Sequence, residues 1–176
     1  ESILYVTLEP CSHYGKTPPC TDLLIQQRVG RVVIAMEDPF SKVNGRGIAR
    51  LRENGIQVEV GLLRREAMNI NRRFITNMTK SRPYVILKWA KTADGFLARK
   101  NFDSRWISNE FSRQLVHKWR AEEDGILVGF STAKYDDPVL DVRSWAGKDP
   151  LPIFIDPELS LRGTKLLGKG SICINN

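Results

Sequence analysis

Short apolar runs separated by turn-forming clusters set the rhythm of this chain. Ile3–Leu8 reads as a short buried strand, and Pro10–Cys20, rich in Pro, Gly, Ser and Thr, as the loop that follows it. Thr21 and Asp22 can cap a helix running to about Gln27. Gly30 ends that helix, and the β-branched run Arg31–Met36 predicts a second strand. Asp38–Gly47 is turn-rich, Ile48–Asn54 forms a short helix stopped by Gly55, and Ile56–Val60 alternates apolar and polar as a strand does. Arg64–Thr79 is polar and amphipathic, a helix. Strand and helix alternate throughout, which predicts α/β layering.

Lys80-Ser81-Arg82-Pro83 interrupts the pattern. It is polar, and its proline blocks helix continuation and pushes the preceding residue toward extended backbone. The chain therefore divides into residues 1–80 and 81–176. In the second part Tyr84–Thr92 predicts a strand, Asp94-Gly95 a hairpin-type turn and Phe96–Ala98 a further strand. Ser108 can cap a helix through Arg120 that places Phe111, Leu115 and Trp119 on one face, at i, i+4 and i+8. Gly125–Gly129 reads as a strand, Ser131–Tyr135 as a helical turn, Asp136-Asp137-Pro138 as a turn, and Leu151–Ile155 and Lys169–Ile174 as strands. The second part is again α/β.

Composition narrows the function classes. No apolar run approaches the ~20 residues of a membrane helix, and no charged start followed by an apolar stretch marks a signal peptide. A cytoplasmic protein without a membrane role is expected. The first residue is Glu1, not Met, and strand-like residues follow at once, so both ends read as cut edges. The net charge of +7 is spread over both parts rather than gathered in a tail or patch. That distribution suits small phosphorylated ligands, or simply a solvated surface, better than nucleic acid.

Three cysteines, Cys11, Cys20 and Cys173, are an odd number for a disulfide framework and point to a reducing compartment. Cys11 leaves a strand behind Pro10. Cys20 enters a helix behind Pro18-Pro19. A helix N-terminus favours thiolate, so this arrangement brings two sulfurs to one mouth where zinc (Zn2+) would bind as to thiolates. The competing reading is two buried, inert cysteines. Zinc deaminases complete such a site with one His, while a separate Glu moves protons. Neither His13 nor His117 has a Glu two residues on. His13 sits two residues past Cys11, where ligation would strain the loop, and His117 is expected at a helix surface or against substrate.

The run Thr7-Leu8-Glu9-Pro10-Cys11-Ser12-His13-Tyr14-Gly15-Lys16-Thr17-Pro18-Pro19-Cys20 resembles the zinc loop of the bifunctional deaminase–reductase family of riboflavin biosynthesis. Its eight-residue spacing departs from the two residues usual in general cytidine and adenosine deaminases. Asp38-Pro39 and Asn44-Gly45-Arg46-Gly47 continue the likeness. The resemblance implies a partial cytidine-deaminase-like α/β/α domain over residues 1–80, with Cys11 and Cys20 as metal ligands and the catalytic His and Glu upstream of Glu1. It also implies that the cysteine loop and Asn44–Gly47 frame a phosphoribosylated diaminopyrimidine, and that this chain alone does not deaminate.

The segment Arg82–Gly95 resembles the opening of the same family's reductase domain, whose fold is similar to dihydrofolate reductase; Ser104–Ser108, Gly129 and Asp136–Arg143 extend the match. By this resemblance residues 81–176 form a partial dihydrofolate-reductase-like α/β domain. Ala90, Trp106, Thr132 and Asp136 would contact NADPH. Ser104, Arg120, Leu140 and Arg143 would contact the substrate, and a homodimer is possible. The residues themselves support part of this. Lys88, Arg120 and Arg143 lie beside turns or strand ends, and arginine grips phosphate through paired hydrogen bonds. No Gly-x-Gly-x-x-Gly follows a strand, so a Rossmann site has no support. Two other readings stay open on sequence grounds: a nucleic-acid-editing zinc deaminase with an appended domain, and a non-catalytic zinc-binding module.

Overall fold

The structure, a computed structural model, describes residues 2–100, 106–168 and 170–175. The chain divides into two compact units, residues 1–87 and 88–176.

The first unit is built on three parallel strands, β1 (Ile3–Val6), β2 (Arg31–Ile34) and β3 (Gln57–Val60), in the order β1-β2-β3. Ile3 lies opposite Arg31 and Val6 opposite Ile34; Arg31 lies opposite Gln57 and Ile34 opposite Val60. Parallel neighbours need crossovers, which α1 (Cys20–Gln26) and α2 (Arg46–Glu53) supply. The central strand carries the apolar run because both its faces are covered: Val32, Val33 and Ile34 are buried. Ile48 and Leu51, spaced three apart on α2, close over Val32, Ile34 and Ile56 to make the main core. Just past β2, Ala35 and Met36 pack with Ala67.

Arg64–Thr79 is not one helix but two, α3 (Arg64–Ile70) and α4 (Arg72–Lys80), meeting at Asn71. The Asn71 side chain donates to the Ala67 carbonyl at 3.0 Å, the local competition that makes Asn a poor interior helix residue.

The second unit contains α5 (Glu110–Glu122), β4 (Gly125–Val128), α6 (Phe130–Asp136), β5 (Leu151–Ile155), a 3₁₀ turn at Lys165–Gly168 and β6 (Ile172–Ile174). Its strands are also parallel, in the order β4-β5-β6. Phe154 of β5 is the centre of a core with Ala133, Leu140, Leu161 and Leu166.

Two sequence expectations are corrected here. Tyr84–Thr92 and Phe96–Ala98 form no ladder strands: Val85, Leu87 and Trp89 are largely exposed, and a β-branched run becomes a strand only where a neighbour accepts its hydrogen bonds. The Asp94-Gly95 turn does form, closed by Thr92 and Phe96 backbone bonds, with Gly95 at φ +91°. His117, expected at a helix surface or against substrate, is buried. The face of α5 that packs inward carries His117, while Phe111 is 82% exposed.

Candidate functional site

The cysteine loop joins β1 to α1. The backbone N–H of Cys20 donates to the Cys11 sulfur at 3.3 Å, so the two thiols stand side by side. Their spacing is held by Thr21, whose backbone N–H and hydroxyl both donate to the Cys11 carbonyl, at 3.2 and 3.1 Å. Arg50 of α2 ties the loop from the other side, donating to the Ser12 carbonyl at 3.5 Å and pairing with Asp22 at 2.7 Å. A thiol beside a thiol resists ionising. The bond to Cys11, then burial, then repulsion from Cys11 push the Cys20 thiol above its ordinary pKa. This reverses the lowering that a helix start alone would give: the neighbouring sulfur and burial outweigh the backbone N–H groups. His13 turns its ring edge toward Phe40, centroids 5.9 Å apart, and its Nδ1 is buried without a hydrogen-bond partner among the described residues. Among the described residues no three His, Cys, Asp or Glu side chains converge on a metal-sized point.

The residue that sequence reasoning missed is Glu9. Its side chain is buried, and its carboxylate accepts four backbone N–H bonds: Asp38 at 3.2 Å and Gly45 at 2.9 Å on Oε2, Gly47 at 2.9 Å and Ile48 at 3.2 Å on Oε1. Gly45, at φ +84°, precedes the first turn of α2, and this left-handed-then-helical step turns consecutive N–H groups toward one point, a backbone nest for an anion. The signal in the sequence was a carboxylate at the end of an apolar strand paired with two closely spaced glycines. Nearby, burial raises the Asp38 carboxyl pKa, assisted by Glu9 and opposed by the Phe40 N–H and His13.

In the second unit Arg120, Leu140 and Arg143 come together around Asp141. Arg120 at the end of α5 donates to the Asp141 carbonyl at 3.0 Å. His117, one turn earlier, places Nδ1 3.0 Å from the same oxygen, and Arg143 pairs with the Asp141 carboxylate at 2.6 Å. A carbonyl only accepts, so His117 carries its proton on Nδ1. Two guanidiniums thus meet at one residue, Arg120 on the backbone carbonyl of Asp141 and Arg143 on its carboxylate. Burial, then repulsion from Arg143, lowers the Arg120 pKa from its ordinary value, against the attraction of Asp141. Arg120 Nε is buried with no hydrogen-bond partner among the described residues. The cluster has positive charge and a donor to spare, which suits an anion.

Leu140 itself sits at φ +58° with its side chain in the core, so it offers a ligand its backbone rather than its side chain. Thr132 and Asp136 lie one turn apart on α6, both exposed. Trp106 is 74% exposed, with the Arg113 guanidinium 4.8 Å above its ring. Ala90 is half-buried in the extended stretch before the Thr92–Phe96 turn. Ser104 lies outside the described residues.

Comparison with known proteins places this geometry. The RibD C-terminal domain family matches residues 83–174. The riboflavin biosynthesis protein RibD of Aquifex aeolicus is 47% identical over 159 residues, covering 90% of this chain and 45% of that protein; that of Escherichia coli K12 is 43% identical, covering 90% and 43%. The crystal structure of a diaminohydroxyphosphoribosylaminopyrimidine deaminase/5-amino-6-(5-phosphoribosylamino)uracil reductase from Thermotoga maritima superposes with a TM-score of 0.89 at 39% identity, covering 98% of this chain and 50% of that one. Acinetobacter baumannii RibD gives 0.87 at 35%, covering 98% and 55%. The chain thus spans about half the length of the relatives it matches. With the family match extending over more than half of its residues, this chain belongs to the RibD C-terminal domain family.

Proposed function

We propose that the chain contributes to riboflavin biosynthesis as part of a bifunctional enzyme: residues 81–176 belong to an NADPH-dependent reductase, and residues 1–80 to a zinc-dependent pyrimidine deaminase. The observation that carries the reductase reading is the Arg120–Asp141–Arg143 cluster. A phosphoribosylated pyrimidine brings a dianionic phosphate. Two guanidiniums held at Asp141, Arg120 by its backbone carbonyl and Arg143 by its carboxylate, with the Arg120 Nε–H buried and without a partner among the described residues, form a receptor for such a group. NADPH, when bound, supplies the hydride that converts ribosyl to ribityl. The protein's part is to fix the phosphate end of the substrate so that the ring-opened sugar carbon faces that hydride. Thr132, Asp136, Trp106 and Ala90 are the residues that would meet the cofactor; the first three are exposed, as a ligand contact requires.

For the deaminase half, the adjacent Cys11 and Cys20 sulfurs fit two corners of a tetrahedral zinc site, and their soft donor chemistry suits that ion. When bound, zinc would supply an acidified water for hydrolytic deamination. Cys11 and Cys20 would hold the ion, and Thr21 and Arg50 fix the loop that carries them.

The test is NADPH oxidation by the full-length polypeptide, followed at the nicotinamide absorbance band. Oxidation should require the deaminated phosphoribosylaminopyrimidine and should be lost when its phosphate is removed. Oxidation that is indifferent to the phosphate, or none at all, rejects the reading.

A further inference from the structure

We propose that Glu9 is a positioning residue for the metal-binding cysteine pair, acting through its four-amide bond set rather than by touching metal or substrate. The inference rests on the zinc reading above and adds what holds that site in shape.

Glu9 is 4% exposed, and its carboxylate accepts from four backbone N–H groups, those of residues 38, 45, 47 and 48. Burying a carboxylate is costly, and amide donors converging on both oxygens are what make it tolerable. The arrangement bolts the strand end before Cys11 to the first turn of α2. A second contact closes the same joint: a Cβ on Gly47 would stand 2.0 Å from the Pro10 carbonyl oxygen, so the α2 turn and the Pro10–Cys11 peptide meet with no space between them. Cys11 is then fixed from the other direction by Thr21, which binds its carbonyl next to Cys20. A continuous chain of contacts therefore runs from α2 through Glu9 and Pro10 to Cys11, and through Thr21 to Cys20. A thiolate metal site needs its sulfur–sulfur separation set before the ion arrives. Supporting groups beyond the ligands commonly account for ~10–100-fold in metal affinity.

The experiment uses the whole chain and Cd2+ as a thiolate-seeking probe, read by the sulfur-to-cadmium charge-transfer band. The wild-type chain should develop the band and Cys11→Ser should lose it. A wild-type chain without the band, or a Cys11→Ser variant that keeps it, removes the metal reading and this inference with it. Given the band, Glu9→Gln puts an amide N–H against backbone donors while keeping the side chain's size. Its Cd2+ affinity should fall by ~10–100-fold with an unchanged far-ultraviolet circular dichroism spectrum. Equal affinity overturns the role of Glu9 and leaves the cysteine pair standing. Should Glu9→Gln not fold, amide exchange in the wild-type chain decides. Cd2+ binding should slow the amides of Gly45, Gly47 and Ile48, which donate to the Glu9 carboxylate; unchanged exchange at all three overturns the proposal.

Discussion

Single residues carry most of what distinguishes this fold from a generic α/β layer. Gly47 is the clearest steric case, because the atom a side chain would strike is backbone, the Pro10 carbonyl, and cannot swing aside. Gly47→Ala should therefore destabilise the chain by ~1–3 kcal/mol, the usual penalty for overpacking, lowering the midpoint of thermal unfolding. A variant that melts like the wild type would show that the joint yields. Arg143 is the clearest electrostatic case. It stands 2.6 Å from the Asp141 carboxylate and is half-exposed, free to shift its bonds to an incoming phosphate. Arg143→Ala in the full-length enzyme should weaken phosphorylated-substrate binding by about 1.5–3 kcal/mol, the worth of a charged hydrogen bond, with a raised Michaelis constant as the readout. An unaltered constant would remove Arg143 from the site. Sequence reading reached Arg143 through its neighbours in the run Asp136–Arg143, and it reached Gly47 as a motif letter without the reason for it. The reason is a contact between residues 10 and 47, which no local pattern encodes.

At the level of elements, legibility followed burial. Arg31–Met36 and Leu151–Ile155 were readable as strands because each supplies the central strand of its sheet; Val32, Val33 and Ile34 are buried in succession, and on β5 Pro152 and Phe154 are buried. Tyr84–Thr92 opens with a comparable apolar run, Tyr84–Leu87, but has no ladder neighbour, so propensity alone overstated it. On α5 the apolar spacing Phe111, Leu115, Trp119 was real, yet the helix turns His117 inward instead. Periodicity shows that a face is apolar, not what lies against it. The cap moved by one residue, to Asn109, whose side chain accepts from the Ser112 N–H at 2.9 Å. Asn109→Ala should cost ~1 kcal/mol, measurable in urea unfolding. The buried histidine gives α5 a pH dependence. Burial, then repulsion from Arg120, lowers the His117 pKa, and the bond to the Asp141 carbonyl only partly opposes them. The unfolded chain takes up a proton below about pH 6.5, which the folded chain resists. The histidine's contribution is thus intact at neutral pH and erodes as pH falls through that value toward the lower folded pKa. Urea midpoints should drop from about pH 7.5 to about pH 5.5, with a shallower slope in His117→Asn, which keeps a donor for the carbonyl and no longer titrates. Parallel slopes would mean that His117 is not the group responsible.

For the molecule as a whole, charge separates ligand classes that the cysteine loop alone leaves open. The net charge of +7 is a property of the entire sequence, whereas Arg120 and Arg143 are the arginines that meet at Asp141 among the described residues of the second unit. A site of that size neutralises one phosphate group. A nucleic-acid surface would instead line up many cations, and its affinity would fall steeply with salt, with a slope of about −0.7 per phosphate neutralised on a single strand. The two readings therefore diverge in one titration. Raising ionic strength from about 0.01 to 0.15 M shortens the screening length from about 30 to 8 Å, which weakens long-range attraction but leaves direct, partly buried pairs largely intact. The full-length enzyme should show a shallow dependence, equivalent to one or two ion contacts, for its phosphorylated pyrimidine. Single-stranded RNA of mixed sequence should compete poorly for that site even at the lowest salt. Tight RNA binding with a slope several times steeper than that of the small substrate would mean that the spread positive charge gathers into a nucleic-acid surface, and that the Arg120–Arg143 pair is one part of it rather than the receptor for a single phosphate.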